Sequence, residues 1–234
     1  MTPSNHDLWV FAYGSLMWRP GFAYAEAQHA RLTGYRRCFC IYSVHHRGTP
    51  ERPGMVLGLD RGGACEGIAY RVTPAAAAAT VRYLRAREQI NGVYREAHLP
   101  VELIKVPRQE TMALTYIVER AHPSYAGQLP LAKQALLIRG AKGVSGTGLD
   151  YLINTLRHLS ELGIRERELE RLLRMIAPHA ARGPMSQHVS PYAAGILRAT
   201  RWRPVHVPIR GLKRDQARRF LFRLRLGGSP VLAG

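Results

Sequence analysis

The sequence predicts an α+β fold, a compact mixed sheet or barrel with helices packed beside it. Three observations lead there. Between residues 8 and 119, short runs of aromatic and β-branched residues recur between Gly, Pro and charged turns, the pattern of strands separated by turns. Thr73-Pro74 then opens a run of five alanines, an N-cap and first-turn proline ahead of the residue with the highest helix propensity. After residue 129, three apolar-periodic helical segments follow with no strand between them.

The first strand lies in Leu8-Trp9-Val10-Phe11-Ala12-Tyr13, where large apolar residues run into a Gly14-Ser15 turn. Further strands are expected at 36–44, 54–59, 66–72, 97–104 and 112–119. The helix beginning at Pro74 is expected to reach Ile90. Helices at 129–140, 149–163 and 165–176 complete the set, with Gly140 and Gly163 where C-terminal caps belong.

A chain of 234 residues that is 46% hydrophobic can bury a substantial core, which excludes disorder throughout. It contains no apolar run approaching the roughly 18–20 residues that span a bilayer. The N-terminal stretch lacks the basic start, apolar run and cleavage site of a secretory signal. A cytoplasmic protein with no membrane partner is therefore expected. Cys38, Cys40 and Cys65 are too few for a disulfide framework, and reduced thiols are expected.

The formal charge of +18 points toward a polyanion until its distribution is considered. Residues 181–234 hold eleven of the 34 Lys and Arg but only one of the 16 acids, Asp215, so +10 sits there and +8 on residues 1–180. Gly183-Pro184 follows the last helical pattern and marks the boundary. Two regions are expected: a catalytic domain at 1–180 and a basic, poorly ordered extension at 181–234. The extension has few aromatics and no recognisable nucleic-acid module, so nucleic acid is expected to bind only non-specifically there.

Two features can carry chemistry. Val81, Leu84 and Glu88 fall at i, i+3 and i+7, a spacing that returns to within about 20° of one direction on a helix. Glu88 thus faces inward, where lost hydration raises a carboxyl pKa toward the range useful for proton transfer. The alternative at this stage is an ion pair with Arg85. The second feature is the Tyr13-Gly14-Ser15-Leu16 loop, whose glycine permits close backbone approach and whose N–H groups can form an anion-binding concavity. Ser15 lacks the G-x-S-x-G setting of a nucleophile. Cys38-x-Cys40 with His45-His46 lacks the paired spacing of a zinc site, and there is no phosphate or dinucleotide fingerprint, so neither metal nor cofactor is expected.

Tyr-Gly-Ser-Leu-Met-Trp at 13–18 and Arg-Glu-Gln-Ile-Asn-Gly-Val-Tyr at 87–94 resemble the ChaC family of glutathione-specific γ-glutamylcyclotransferases. The likeness extends in order through Gly34-Tyr35-Arg36-Arg37, His46-Arg47-Gly48, Pro53 to Leu57, Gly67 to Tyr70, His122-Pro123-Ser124-Tyr125 and Gly143-Val144-Ser145-Gly146. This resemblance implies the γ-glutamylcyclotransferase-like fold, a small mixed β-barrel flanked by helices. It also implies metal-free conversion of reduced glutathione to 5-oxoproline and cysteinylglycine. Glu88 matches the family's catalytic glutamate, and Val10, Phe11, Ala12, Tyr13, Gly14, Ser15 and Leu16 match its substrate loop. Tyr125 matches a tyrosine near the substrate. Arg36, Arg37 and Arg47 are candidate partners for substrate carboxylates, with Arg47 the one retained as substrate-binding, while Tyr94 is expected to orient the helix end. The competing readings are a cyclotransferase for another γ-glutamyl amine or peptide, and a polyanion-binding protein acting through its basic tail.

Overall fold

The computed structural model describes residues 6–178. Five strands close a barrel in the order β1-β3-β2-β4-β5: β1 Leu8–Ala12, β2 Glu26–Ser43, β3 Gly54–Val72, β4 Tyr94–Leu103 and β5 Gln109–Val118. Neighbours are antiparallel except at the closure, where β1 runs parallel to β5 with Trp9 opposite Ala113 and Val10 opposite Leu114. Helix α1, Pro74–Glu88, connects β3 to β4. After β5 come α2, Leu131–Gly140, the two-residue strands β6, Lys142–Gly143, and β7, Gly146–Thr147, then α3, Gly148–Glu161, and α4, Arg167–Ile176.

The expected barrel flanked by helices is therefore present, with corrections to its parts. The segments 54–59 and 66–72 are one strand of nineteen residues. Arg61-Gly62-Gly63 reads as a turn, yet pairing to β2 continues through it, from Tyr35 opposite Arg61 to Thr33 opposite Ala64, across a register shift. Gly34, Gly62 and Gly63 take positive φ of 87°, 102° and 72°, so the ribbon bends at a bulge rather than ending. Cys65 consequently lies within a strand. Likewise β2 begins ten residues before the expected run at 36–44.

Helix α1 ends at Glu88, short of Ile90, because Gln89 caps it and Gly92, at φ 75°, turns the chain into β4. Thr73 caps α1 through its carbonyl, which accepts from the Ala76 and Ala77 N–H groups, and not through its side chain. Gly163 has the left-handed conformation expected after α3, whereas Gly140 is the last residue of α2 and has no positive φ. A Cβ on Gly140 would meet only the end of the exposed Arg52 side chain, at 2.9 Å, which can move aside.

Two apolar clusters hold the fold. Phe11, Leu32, Leu59, Val101 and Ile117, one from each strand, fill the barrel with their neighbours. The opposite face of the sheet, including Val10, Met55, Leu57, Tyr70 and Leu114, packs against Ile138, Leu152, Leu156, Leu169 and Leu172 of the later helices. The expected basic extension at 181–234 lies outside the described residues.

Candidate active site

Strand β1 delivers its last residues to the rim of the barrel, where Ser15–Met17 form one 3-10 turn. The turn closes through Met17 N–H to Gly14 O and Trp18 N–H to Ser15 O, which leaves the opening N–H groups of the turn to acceptors outside it. Gly14 has φ −129°, so the glycine is not required by a left-handed backbone. A Cβ placed there would sit 3.7 Å from the Tyr151 hydroxyl of α3.

That rim contributes to the wall of a small cleft that is partly open to solvent. Phe11, Tyr13, Gly14, Ser15 and Leu16 line it together with Leu57, Glu88, Tyr94, Tyr116 and Tyr151. Glu88 reaches it because Thr80, Leu84 and Glu88 form one stripe of α1 with Thr80 and Leu84 buried. Burial pushes the Glu88 carboxyl above its ordinary value, opposed by the Arg87 guanidinium at 3.0 Å. Arg85 is not the partner of Glu88: it pairs with Glu96 on β4 at 2.7 Å.

Arg87 also donates to Ser15 Oγ at 2.9 Å, to the Arg19 carbonyl at 2.7 Å and to the Tyr83 hydroxyl at 2.9 Å. One guanidinium thus ties the end of α1 to the loop after β1. The four tyrosines are buried or half-buried, and desolvation raises the pKa of each. They remain neutral hydrogen-bonding groups at physiological pH.

The structure brings Phe11, Tyr13, Gly14, Ser15, Leu16 and Glu88 together. Val10 and Ala12 point from the same strand to the opposite, helix-covered face. Tyr125 does not line the cleft: its hydroxyl donates to Asp60 at 2.9 Å beneath Arg120. Arg36 lies near the same aspartate, at 3.9 Å, and donates to Gln128. Arg37 is a structural group, fully buried and donating at 2.5 Å each to the Tyr13 carbonyl, the Glu66 carbonyl and Glu166. Arg47 lies over the Tyr151 ring, 5.0 Å from its centroid, and donates to the Thr147 carbonyl. Tyr94, expected only to orient the helix end, is part of the cleft wall, and its hydroxyl donates to the Leu57 carbonyl at 2.7 Å.

The sequence reasoning missed Tyr116, Tyr151 and Arg87. Tyr116 and Tyr151 each occupy an apolar phase, of a strand and a helix respectively, and read as core. Arg87 stood beside Glu88 in the motif, but its contacts with residues 15 and 19 depend on tertiary structure.

A family model described as ChaC-like protein matches residues 8–179. The chain belongs to that family. ChaC-like relatives include the glutathione-specific γ-glutamylcyclotransferase of Escherichia coli (strain K12), 33% identical over 171 residues that make up 73% of each chain. The glutathione-specific γ-glutamylcyclotransferase 1 of Homo sapiens is 36% identical over 62% of this chain and 67% of the relative. Among solved structures, a yeast γ-glutamylcyclotransferase specific to glutathione has a TM-score of 0.66 at 22% identity. It covers 74% of this chain and 99% of that one, a likeness of fold. The Gly143 to Gly146 turn donates Val144 and Ser145 N–H groups to the His45 and His46 carbonyls. A Cβ on Gly143 would lie 2.3 Å from the first of those oxygens.

Proposed function

We propose that this protein is a cytoplasmic glutathione-specific γ-glutamylcyclotransferase that converts reduced glutathione to 5-oxoproline and cysteinylglycine, with Glu88 as general base and then general acid. The observation that carries the reading is a single desolvated carboxyl, Glu88, in the same cleft as the backbone loop at residues 13–16. The names of the Escherichia coli and human relatives support the substrate. Three free thiols suit a reducing compartment. No helix among the described residues is long and apolar enough to cross a membrane.

The chemistry requires no enzyme nucleophile. The substrate α-amine attacks the γ-glutamyl carbonyl carbon, a C–N bond forms to close a five-membered lactam, and the C–N bond to cysteine breaks. At neutral pH the amine is mostly ammonium, so the Glu88 carboxylate first removes a proton and later returns one to the departing nitrogen, while the surplus proton left on the ring nitrogen after attack passes to solvent as the lactam forms. Holding the glutamyl chain folded for attack supplies much of the remaining acceleration, about 7–11 kcal/mol for well-oriented intramolecular reactions. Residues 13–16 offer N–H groups to the developing oxyanion or to the α-carboxylate. Arg47 at the cleft margin offers a guanidinium to a substrate carboxylate. Tyr125, outside the cleft wall, is assigned to substrate only through the family match.

The test is incubation of purified protein with reduced glutathione, without added metal, while 5-oxoproline and cysteinylglycine are measured. Both products should form in equal amounts, and Glu88→Gln should abolish them. Folded wild-type protein that forms neither product, or an active Glu88→Gln variant, sinks the proposal.

A further inference from the structure

Four tyrosines line the cleft, and the protons of their hydroxyls are committed differently. Tyr13 donates to the Tyr116 carbonyl at 3.0 Å, and Tyr94 to the Leu57 carbonyl at 2.7 Å. Tyr116 is directed at Glu96, 3.4 Å away. At Tyr151 the polarity is reversed: the Leu57 N–H is directed at the hydroxyl oxygen. Among the described residues, no acceptor takes the Tyr151 proton. A tyrosine hydroxyl normally donates to some partner, and this one belongs to a residue that lines the same cleft as Glu88, where a bound group can take its proton.

Its placement is fixed from three sides. Phe39 meets the ring edge-on at a centroid distance of 6.0 Å, and the Arg47 guanidinium covers it at 5.0 Å. One residue earlier, Asp150 completes a reciprocal cap with Thr147 that sets the start of α3. The hydroxyl overhangs Gly14, at the opening of the 3-10 turn. A side chain on residue 14 would take the space between the hydroxyl and the loop. Burial raises the phenol to about 12, with the Leu57 N–H and Arg47 pulling the other way, so the proton is present throughout the physiological range.

We infer that Tyr151 is a catalytic residue, whose hydroxyl donates to the oxygen of the scissile γ-glutamyl carbonyl as that oxygen gains charge. The inference rests on the cyclotransferase reading. As the amine lone pair forms the new C–N bond, the carbonyl π pair moves onto oxygen, and Tyr151 shares its proton with that oxyanion without transferring it. When the pair returns, the C–N bond to cysteine breaks and the leaving nitrogen takes its proton from Glu88. Tyr151 and the loop N–H groups converge on the oxyanion from two sides, while Glu88 handles protons.

The test compares wild type and Tyr151→Phe in steady-state turnover of reduced glutathione, with thermal unfolding measured on the same samples. Phenylalanine keeps the contacts with Phe39 and Arg47 and removes only the hydroxyl. The expected result is a fall in kcat of about 10²–10³-fold, the effect of deleting one oxyanion donor. KM should stay within about threefold, because the carbonyl gains its charge only beyond the ground state. The melting midpoint should drop by no more than about 4 °C. A kcat within about threefold of wild type, or a loss confined to KM, overturns the inference while the cyclotransferase activity stands. Wild-type protein without activity overturns the underlying reading and this inference with it.

Discussion

Arg37 is the sharpest test of how the site is supported. Its buried guanidinium bonds the carbonyls of Tyr13 and Glu66 and the carboxylate of Glu166, tying β2, the end of β1, β3 and the start of α4. Replacement by Met keeps apolar bulk and removes every donor. Each orphaned carbonyl costs about 1–3 kcal/mol, and an uncompensated buried carboxylate about 3–5 kcal/mol. Glu166 retains 24% exposure and can recover some hydration, and terms within one network are not additive. We therefore expect a loss of about 4–7 kcal/mol, a large share of the 5–15 kcal/mol typical of a folded domain.

The loss should depend on pH. Burial already raises the Glu166 carboxyl while Arg37 opposes it, so the variant's carboxyl rises further. A folded-state pKa above the unfolded value favours the folded state at low pH. That contribution is lost as pH rises from the ordinary value of 4.5 through the folded one. Urea unfolding followed by tryptophan fluorescence at neutral pH and near pH 5 should find Arg37→Met less destabilised at the lower pH. A neutral-pH loss below about 1 kcal/mol, with a large rise in KM for glutathione, would show Arg37 to be a substrate clamp and refute the structural assignment.

Four further outcomes follow from the geometry. The acid limb of kcat/KM for glutathione should inflect above the ordinary carboxylate value of 4.5, because Glu88 is raised and must lose its proton to act as base. Ser15→Ala removes an acceptor of Arg87 and should lower kcat by about tenfold, far short of the roughly 10⁶-fold loss that follows removal of a nucleophile. In Asp60, burial pushes the carboxyl up, but hydrogen bonds from Arg120, Tyr125 and the Arg61 N–H outweigh it and hold it below its ordinary value. Its stabilising contribution is present above that ordinary value and lost as pH falls through the folded one, so Asp60→Asn should flatten the acid limb of a stability–pH curve. A Cβ on Gly67 would lie 2.2 Å from the Ala12 carbonyl, so Gly67→Ala should displace the end of β1, destabilise by about 1–3 kcal/mol and lower kcat.

The inward placement of Glu88 was legible because its neighbours obey a local period: Leu84 and Glu88 share a face of α1 whatever that helix packs against. The loop after β1 was legible as a strand running into a glycine. Arg37 was not, since its string gives the residue type but not the face, and alternation on a strand sends Arg36 outward and Arg37 inward. The break expected at residues 60–65 fails for a similar reason. Two glycines look the same in a turn and in a bulge, and only the partner strand distinguishes them. His122 was read as part of a motif without a role; it receives the Ser124 N–H and contacts the Asn91 carbonyl, bracing the turn after α1. Bonds between residues more than 30 positions apart leave no periodic trace.

The parallel pairing of β1 with β5 has a consequence for the order of assembly. The strand that carries the glycine loop emerges first during synthesis, yet both its lateral neighbours come later, β3 ending at Val72 and β5 at Val118. Contacts of such high sequence separation form late and slow the folding of barrels. The chain therefore makes the glycine loop before either neighbouring strand and fixes it only when the last strand is available. A ribosome-stalled fragment ending near residue 103 should leave the loop sensitive to protease, and one long enough to expose β5 outside the exit tunnel should protect it. Equal cleavage of the two would show that β3 alone seats the loop.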